Sequence, residues 1–186
     1  MSIVVRPATP ADVAAMHNMI LELAIFEKEP EAVIATEEDL HRALFGGVAI
    51  PDNDFGDHDS MEVARDRADT PSGHPAVFAH VIDDPDGDGL AGMAIWFLNY
   101  STWEGRHGIY LEDLYVRPQF RGHGYGKALM SELAKICHDN NYTRFQWWVL
   151  TWNQQAIDVY EKLGAVAQDE WMVYRLTGDS LAELGS

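Results

Sequence analysis

The sequence predicts a mixed α/β layer structure in which helices cover a sheet that begins antiparallel. Two observations carry that prediction. Apolar residues change between two-residue and three-to-four-residue steps along the chain, giving the order β-α-α-β-β-β-α-β-α-β. The 186 residues are 47% hydrophobic and 11% aromatic, which suits one self-sufficient core of ordinary domain size.

Each element has its own signature. Residues 3–6 read as a short strand, and Pro10-Ala-Asp12 then opens a helix whose Val13, Met16, Ile20 and Leu23 lie along one face. Thr36 is placed to cap a second helix that ends near Phe45. Residues 76–82 and 90–99 are β-rich runs separated by Asp84-Pro-Asp86-Gly-Asp88-Gly89, a turn composition that predicts a hairpin. That turn begins like a calcium loop, but its twelfth position is Ile95 where a bidentate Glu is required, so the hairpin reading prevails. A strand over 109–116 leads through a glycine-rich turn into a helix over 125–140 that buries Leu129, Leu133 and Ile136. A strand over 144–150, a helix over 154–163 and a last strand over 171–176 complete the order.

Charge is distributed unevenly. The chain carries 13 basic and 30 acidic residues, a formal charge of −17. Residues 51–89 hold 11 of the acids against Arg65 and Arg67. The stretch at about 46–75 is also rich in Gly, Pro, Ser and Asp, which marks an acidic loop insertion within a single domain spanning 1–186. Such a surface repels nucleic acid and anionic membrane and favours a small cationic partner. Cys137 is the sole cysteine, which excludes an intrachain disulfide and a cysteine zinc site and fits a cytoplasmic protein. It reads as core filler. His58, His74 and His80 show no metal spacing and read as surface or loop residues, and no metal is expected.

The chemistry concentrates in Val116-Arg117-Pro118-Gln119-Phe120-Arg121-Gly122-His123-Gly124-Tyr125-Gly126-Lys127, between a strand and an amphipathic helix. Glycines at alternate positions let backbone N–H groups converge, and the helix start adds its positive dipole end. The window holds Arg117, Arg121 and Lys127 with no acid, so it forms a cradle for an anion such as a pyrophosphate. A dinucleotide fold is the rival reading, but that fingerprint expects a parallel βαβ unit and an acid about 20 residues on. The spacing Arg121-x-x-Gly124-x-Gly126 resembles the acetyl-coenzyme A loop of the GNAT acetyltransferases, as does the element order.

The resemblance extends outward. Tyr100-Ser-Thr-Trp103-x-Gly105-Arg106, Tyr110-Leu-Glu112-Asp113-Leu-Tyr115-Val116, Trp152-Asn153-Gln154-x-Ala156-x-Asp158-x-Tyr160 and Leu163-Gly164-Ala165 resemble the spermidine/spermine acetyltransferase family, nearest its thialysine Nε-acetyltransferase branch. Arg6-Pro7-Ala8 and Leu21-Glu-Leu-Ala24-Ile-Phe26-Glu27 match the same family. The resemblance implies a mostly antiparallel GNAT sheet flanked by helices, acetyl-coenzyme A as co-substrate, and a homodimer. It implies that Leu114, Tyr115 and Val116 meet the pantetheine arm and that Arg121, Gly122, His123, Gly124, Tyr125, Gly126 and Lys127 hold the pyrophosphate. Asn153, Gln154, Gln155 and Ala156 add cofactor contacts. Tyr160 matches the general acid and Glu112 the proton acceptor, acting through water. Phe26, Glu27, Glu112, Asp113 and Trp152 line the acceptor side.

Chemistry asks for such a set independently. A lysine-like amine with a pKa near 10.4 costs about 4.6 kcal/mol to deprotonate at pH 7, so a proton relay is needed before attack on the thioester. The tetrahedral intermediate needs N–H donors, which the strand near Leu114 can supply, and the leaving thiolate needs an acid. Taken alone, Tyr160 follows the apolar spacing of its helix and would be a core residue. Glu112 stands in an otherwise apolar strand, where an acid is costly unless solvated or paired. Asp113 would point to the opposite face of a regular strand, unless a bulge intervenes. Trp147, Trp148 and Trp152 read as core and rim aromatics.

Ser101-Thr102 stands where the polyamine-acetylating branch has Asp-Pro, which removes an anchor for a distant second ammonium. The expected activity is acetyl transfer to thialysine or a lysine-like amino acid. A polyamine or diamine acetyltransferase is the alternative, and a non-catalytic acyl-coenzyme A binding or sensing protein is the alternative from another class.

Overall fold

The computed structural model describes residues 3–46, 75–87 and 89–186, so most of the acidic stretch, with His58 and His74, lies outside the described residues. The chain divides into two units, Met1–Trp148 and Val149–Ser186.

The first unit is a five-stranded sheet in the order β1 (Arg6–Pro7), β2 (Val77–Asp83), β3 (Leu90–Ser101), β4 (Arg106–Val116), β5 (Phe145–Trp147). The first four strands are antiparallel neighbours, and β5 runs parallel to β4. This is the mixed, mostly antiparallel α/β architecture that the sequence predicts. The β2–β3 turn closes with Asp84 N donating to Gly89 O at 2.8 Å, while Asp84 Oδ1 accepts from Asp86 N at 2.8 Å.

Helix α1 (Val13–Glu27) follows a single 3-10 turn at Pro10–Asp12. Arg6 anchors that entry, donating to Asp12 at 2.8 and 2.9 Å and to Asp83 on β2. The guanidinium holds the Asp12 carboxyl down at about 2. Helix α2 (Glu37–Phe45) begins with a reciprocal box: Asp39 N donates to Thr36 Oγ1 at 3.2 Å, and Thr36 N donates to Asp39 Oδ2 at 2.9 Å. Met16 and Met19 of α1 are fully buried against Val81, Met93, Ile95 and Tyr115, each burial worth about 1.5–3 kcal/mol.

Helix α3 (Tyr125–Asp139) covers the other face with fully buried Leu129 and Leu133, while Ile136 is only half-buried. Gly92 permits this approach, since a Cβ there would meet Leu129 Cδ1 and the Tyr115 carbonyl oxygen at 3.3 Å. His80 is buried in β2 rather than at the surface: the strand turns it inward, where its Nδ1 accepts from Trp96 Nε1 at 3.1 Å and burial lowers its pKa.

In the second unit, α4 (Gln154–Lys162) starts at Asn153, whose Oδ1 accepts from Ala156 N at 3.3 Å. It ends with Gly164 at φ +90, Gly164 N donating to Glu161 O and Ala165 N to Tyr160 O, the paired bonds of a glycine stop. Residues 171–176 form no strand, although their composition suits one. Trp171, Met172, Val173, Tyr174 and Leu176 are exposed, and strand propensity without a partner edge does not make a strand. A short α5 (Gly178–Leu184) follows.

Candidate active site

The site in the first unit is built on an irregularity in β4. Ile95 pairs with Asp113 but Trp96 pairs with Leu111, which leaves Glu112 as an extra residue, a β-bulge. Regular alternation would send Leu111, Asp113 and Tyr115 to one face. With the bulge, Leu111 shares a face with Trp96, while Asp113 joins Ile95, Met93 and Tyr115 on the α1 face. The bulge thus removes the objection that Glu112 and Asp113 must serve opposite sides of the sheet.

Three carboxylates belong to this region. Burial, then Glu112, then Glu27 raise the Asp113 pKa to about 6. Burial also raises Glu27, the last residue of α1. Glu112 is exposed. The next residue after Glu27 is Lys28, in left-handed backbone at φ 68, where Lys28 N donates to Ile25 O and Glu29 N to Ala24 O. A non-glycine residue in that conformation carries strain at the edge of the acidic region.

The bulge also sets which backbone groups are available. The β4–β5 ladder runs only from Ile109 opposite Phe145 to Leu111 opposite Trp147. Beyond it no described strand pairs with that edge of β4. Arg117 N donates to Ala91 O at 3.0 Å, so by alternation Tyr115 addresses β3 while Leu114 and Val116 address the open edge. The Val116 carbonyl accepts from Arg121 Nε at 2.9 Å, and Leu114 presents its amide to an edge that an amide-bearing ligand could extend like a strand.

After β4 the chain makes a 3-10 turn at Pro118–Phe120 and enters the glycine loop. Gly122 and Gly124 have φ of +79 and +88, backbone that only glycine adopts without strain. The first bond of α3 runs from Ala128 N to Gly124 O at 2.9 Å, so Tyr125, Gly126 and Lys127 keep first-turn amides for an outside acceptor. His123 and Lys127 are exposed beside them. This is a cradle that fits a phosphate group.

The basic residues of the loop divide. Arg117 is tied internally, to Glu22 at 3.2 Å and to Leu90 O at 3.1 Å. Arg121 lies over the rings of Phe26 at 5.3 Å and Tyr115 at 5.5 Å. Burial, then Glu22, raise the Tyr115 pKa, and the Arg121 cation opposes them. These residues line an open cleft of about 570 Å³ together with Ile25, Pro118 and Gln119. Glu22 and the tying of Arg117 are absent from the sequence-based site, because a helix-surface Glu 95 residues away carries no local motif; only its opposite charge hints at the pair.

The other expected residues lie in the second unit and are described by themselves. Asn153 caps α4, which places Gln154, Gln155 and Ala156 in its first turn. Trp152 is exposed just before it. Tyr160 is half-buried in α4, and burial raises its pKa, so the phenol holds its proton at neutral pH.

Comparison with known proteins bears on the family and the fold. The acetyltransferase (GNAT) family profile matches residues 23–165. The chain is 33% identical over 186 residues to a thialysine N-epsilon-acetyltransferase of Sus scrofa, covering 98% of this chain and 97% of that protein. It is 32% identical over 202 residues to an L-ornithine N5-acetyltransferase of Arabidopsis thaliana, covering 95% and 85%. Among solved structures, an integron cassette protein from the mobile metagenome of V. cholerae superposes with a TM-score of 0.70 at 24% identity, covering 100% of this chain and 98% of that one.

Proposed function

This chain belongs to the acetyltransferase (GNAT) family, whose members use acetyl-coenzyme A as co-substrate, and from that premise we propose that it acetylates the side-chain amine of a lysine-like amino acid, thialysine first. The observation that carries the choice of acceptor is the bulge in β4, which joins a half-buried Asp113, Glu112 and the end of α1 at Glu27 in one acidic region. Relatives that act on thialysine and ornithine, both short cationic amino acids, support it.

Acetyl-coenzyme A supplies the activated acetyl group as a thioester. In our reading residues 122–127 bind its pyrophosphate through backbone amides, Arg121, Asn153, Gln154, Gln155 and Ala156 add contacts, and the open edge at Leu114 and Val116 takes the pantetheine amides. Asp113 and Glu27 hold the acceptor ammonium beside Phe26, and Trp152 is carried over from the resemblance as a residue of the acceptor side. Glu112 receives the amine proton through water, which its exposure allows. The Leu114 amide stabilises the oxyanion, and Tyr160 protonates the departing thiolate, a task suited to a phenol whose pKa burial has raised. Residues 1–186 are read as one acetyltransferase domain with an insertion at 46–75, forming a homodimer in the cytoplasm.

The second reading, a polyamine or diamine acetyltransferase, shares the acidic region. Steady-state kinetics on thialysine, lysine, ornithine, spermidine and putrescine separate the two. We expect the amino acids to lead in kcat/KM, and a spermidine preference of about tenfold, equivalent to 1.4 kcal/mol, would overturn the choice.

A further inference from the structure

We propose that Arg121 is a positioning residue for the amine acceptor, tying the cofactor loop to the acceptor wall; this rests on the assignment of Phe26 and Glu27 to that wall. From the glycine loop its side chain reaches two elements, α1 and β4. The guanidinium carbon lies 5.3 Å from the Phe26 ring in the last turn of α1 and 5.5 Å from the Tyr115 ring in β4. Its Nε donates to Val116 O at 2.9 Å.

A residue needed only for its charge on phosphate requires none of these contacts, since a lysine reaching into solvent supplies the same charge. The planar cation between two rings fixes its own plane and also fixes the rings. Phe26 immediately precedes Glu27, and Glu27 acts electrostatically on Asp113. The chain leaves α1 at once through the left-handed Lys28, so the seat of this last turn on β4 depends on side chains such as Phe26. Arg121 therefore sets the spacing of the acceptor carboxylates although it belongs to the loop that takes the cofactor. A shift of Arg121 on cofactor binding is transmitted to Phe26, which links the affinities of the two substrates.

The test uses the full chain. Arg121→Lys keeps the charge and removes the planar fork. At saturating acetyl-coenzyme A we expect the amine KM to rise about tenfold, a larger change than the one in the calorimetric Kd for coenzyme A. A weakened coenzyme A Kd with an unchanged amine KM makes Arg121 a phosphate contact only and overturns the proposal. Phe26→Leu is the second variant. Arg121→Lys added to it should raise the amine KM little further, and full additivity overturns the coupling.

If the parent protein acetylates none of the amines, the functional reading itself fails, and the ring contacts are read directly by NMR. The Arg121 Nε–H resonance should be displaced by ring current and should move in Phe26→Leu. A resonance that does not respond overturns the proposal whatever the turnover, and this measurement also decides the matter if Arg121→Lys does not fold.

Discussion

Asp113 is the residue where fold and function pull apart. Its folded pKa of about 6 lies above the ordinary 3.8, so the folded state binds more protons than the unfolded chain between those values. Its contribution to stability is therefore complete below pH 3.8 and is lost as pH rises through 6. Asp113→Asn should stabilise the protein at pH 7.5 by up to about 3 kcal/mol, an advantage that disappears near pH 3.8. The same change should cut kcat/KM for the amine, and the acid limb of the parent's pH profile should fall near pH 6. Thermal unfolding at the two pH values checks the first expectation; equal stability of parent and variant at pH 7.5 would refute it. Tyr160→Phe tests the acid: kcat should fall about 100-fold or more with coenzyme A affinity nearly unchanged, and an unaffected kcat would remove Tyr160 from the mechanism. Glu112 is legible in the sequence because an acid interrupts an apolar strand. The perturbation of Asp113 is not, because it depends on a register that only the pairing with β3 defines.

At the scale of elements, the parts specified by local chemistry are the legible ones. The Thr36 cap, the Asp84 turn and the glycine loop appear where their residues predict them, since each is closed by groups a few positions apart. Residues 171–176 show the reverse: they have strand composition, but a ladder needs an edge that no local pattern supplies. The end of α1 is also illegible, because Lys28 occupies a left-handed position that glycine usually fills. Lys28→Gly should relieve that strain and raise stability by about 1 kcal/mol in denaturant unfolding. A destabilised variant would mean that the lysine side chain contributes more than its backbone costs.

For the whole molecule, the charge of −17 makes an expectation about salt. The acidic field draws a cationic amine and opposes the anionic acetyl-coenzyme A, so raising ionic strength from about 0.05 to 0.5 M should raise the amine KM and lower that of acetyl-coenzyme A. Opposite trends in one titration are the signature, and parallel trends would locate the salt effect elsewhere. The bulge in β4 acts over the same distance by different means. It is a dislocation in the sheet: the half of the strand paired with β5 and the half beside the glycine loop are out of phase by one residue. A slip that brought one half into step with its neighbours would put the other half out of step, so the single extra residue pins the strand against sliding in either direction. The position that gives the site its acid also fixes the alignment of the sheet, and changes in chain length near Glu112 would alter both at once.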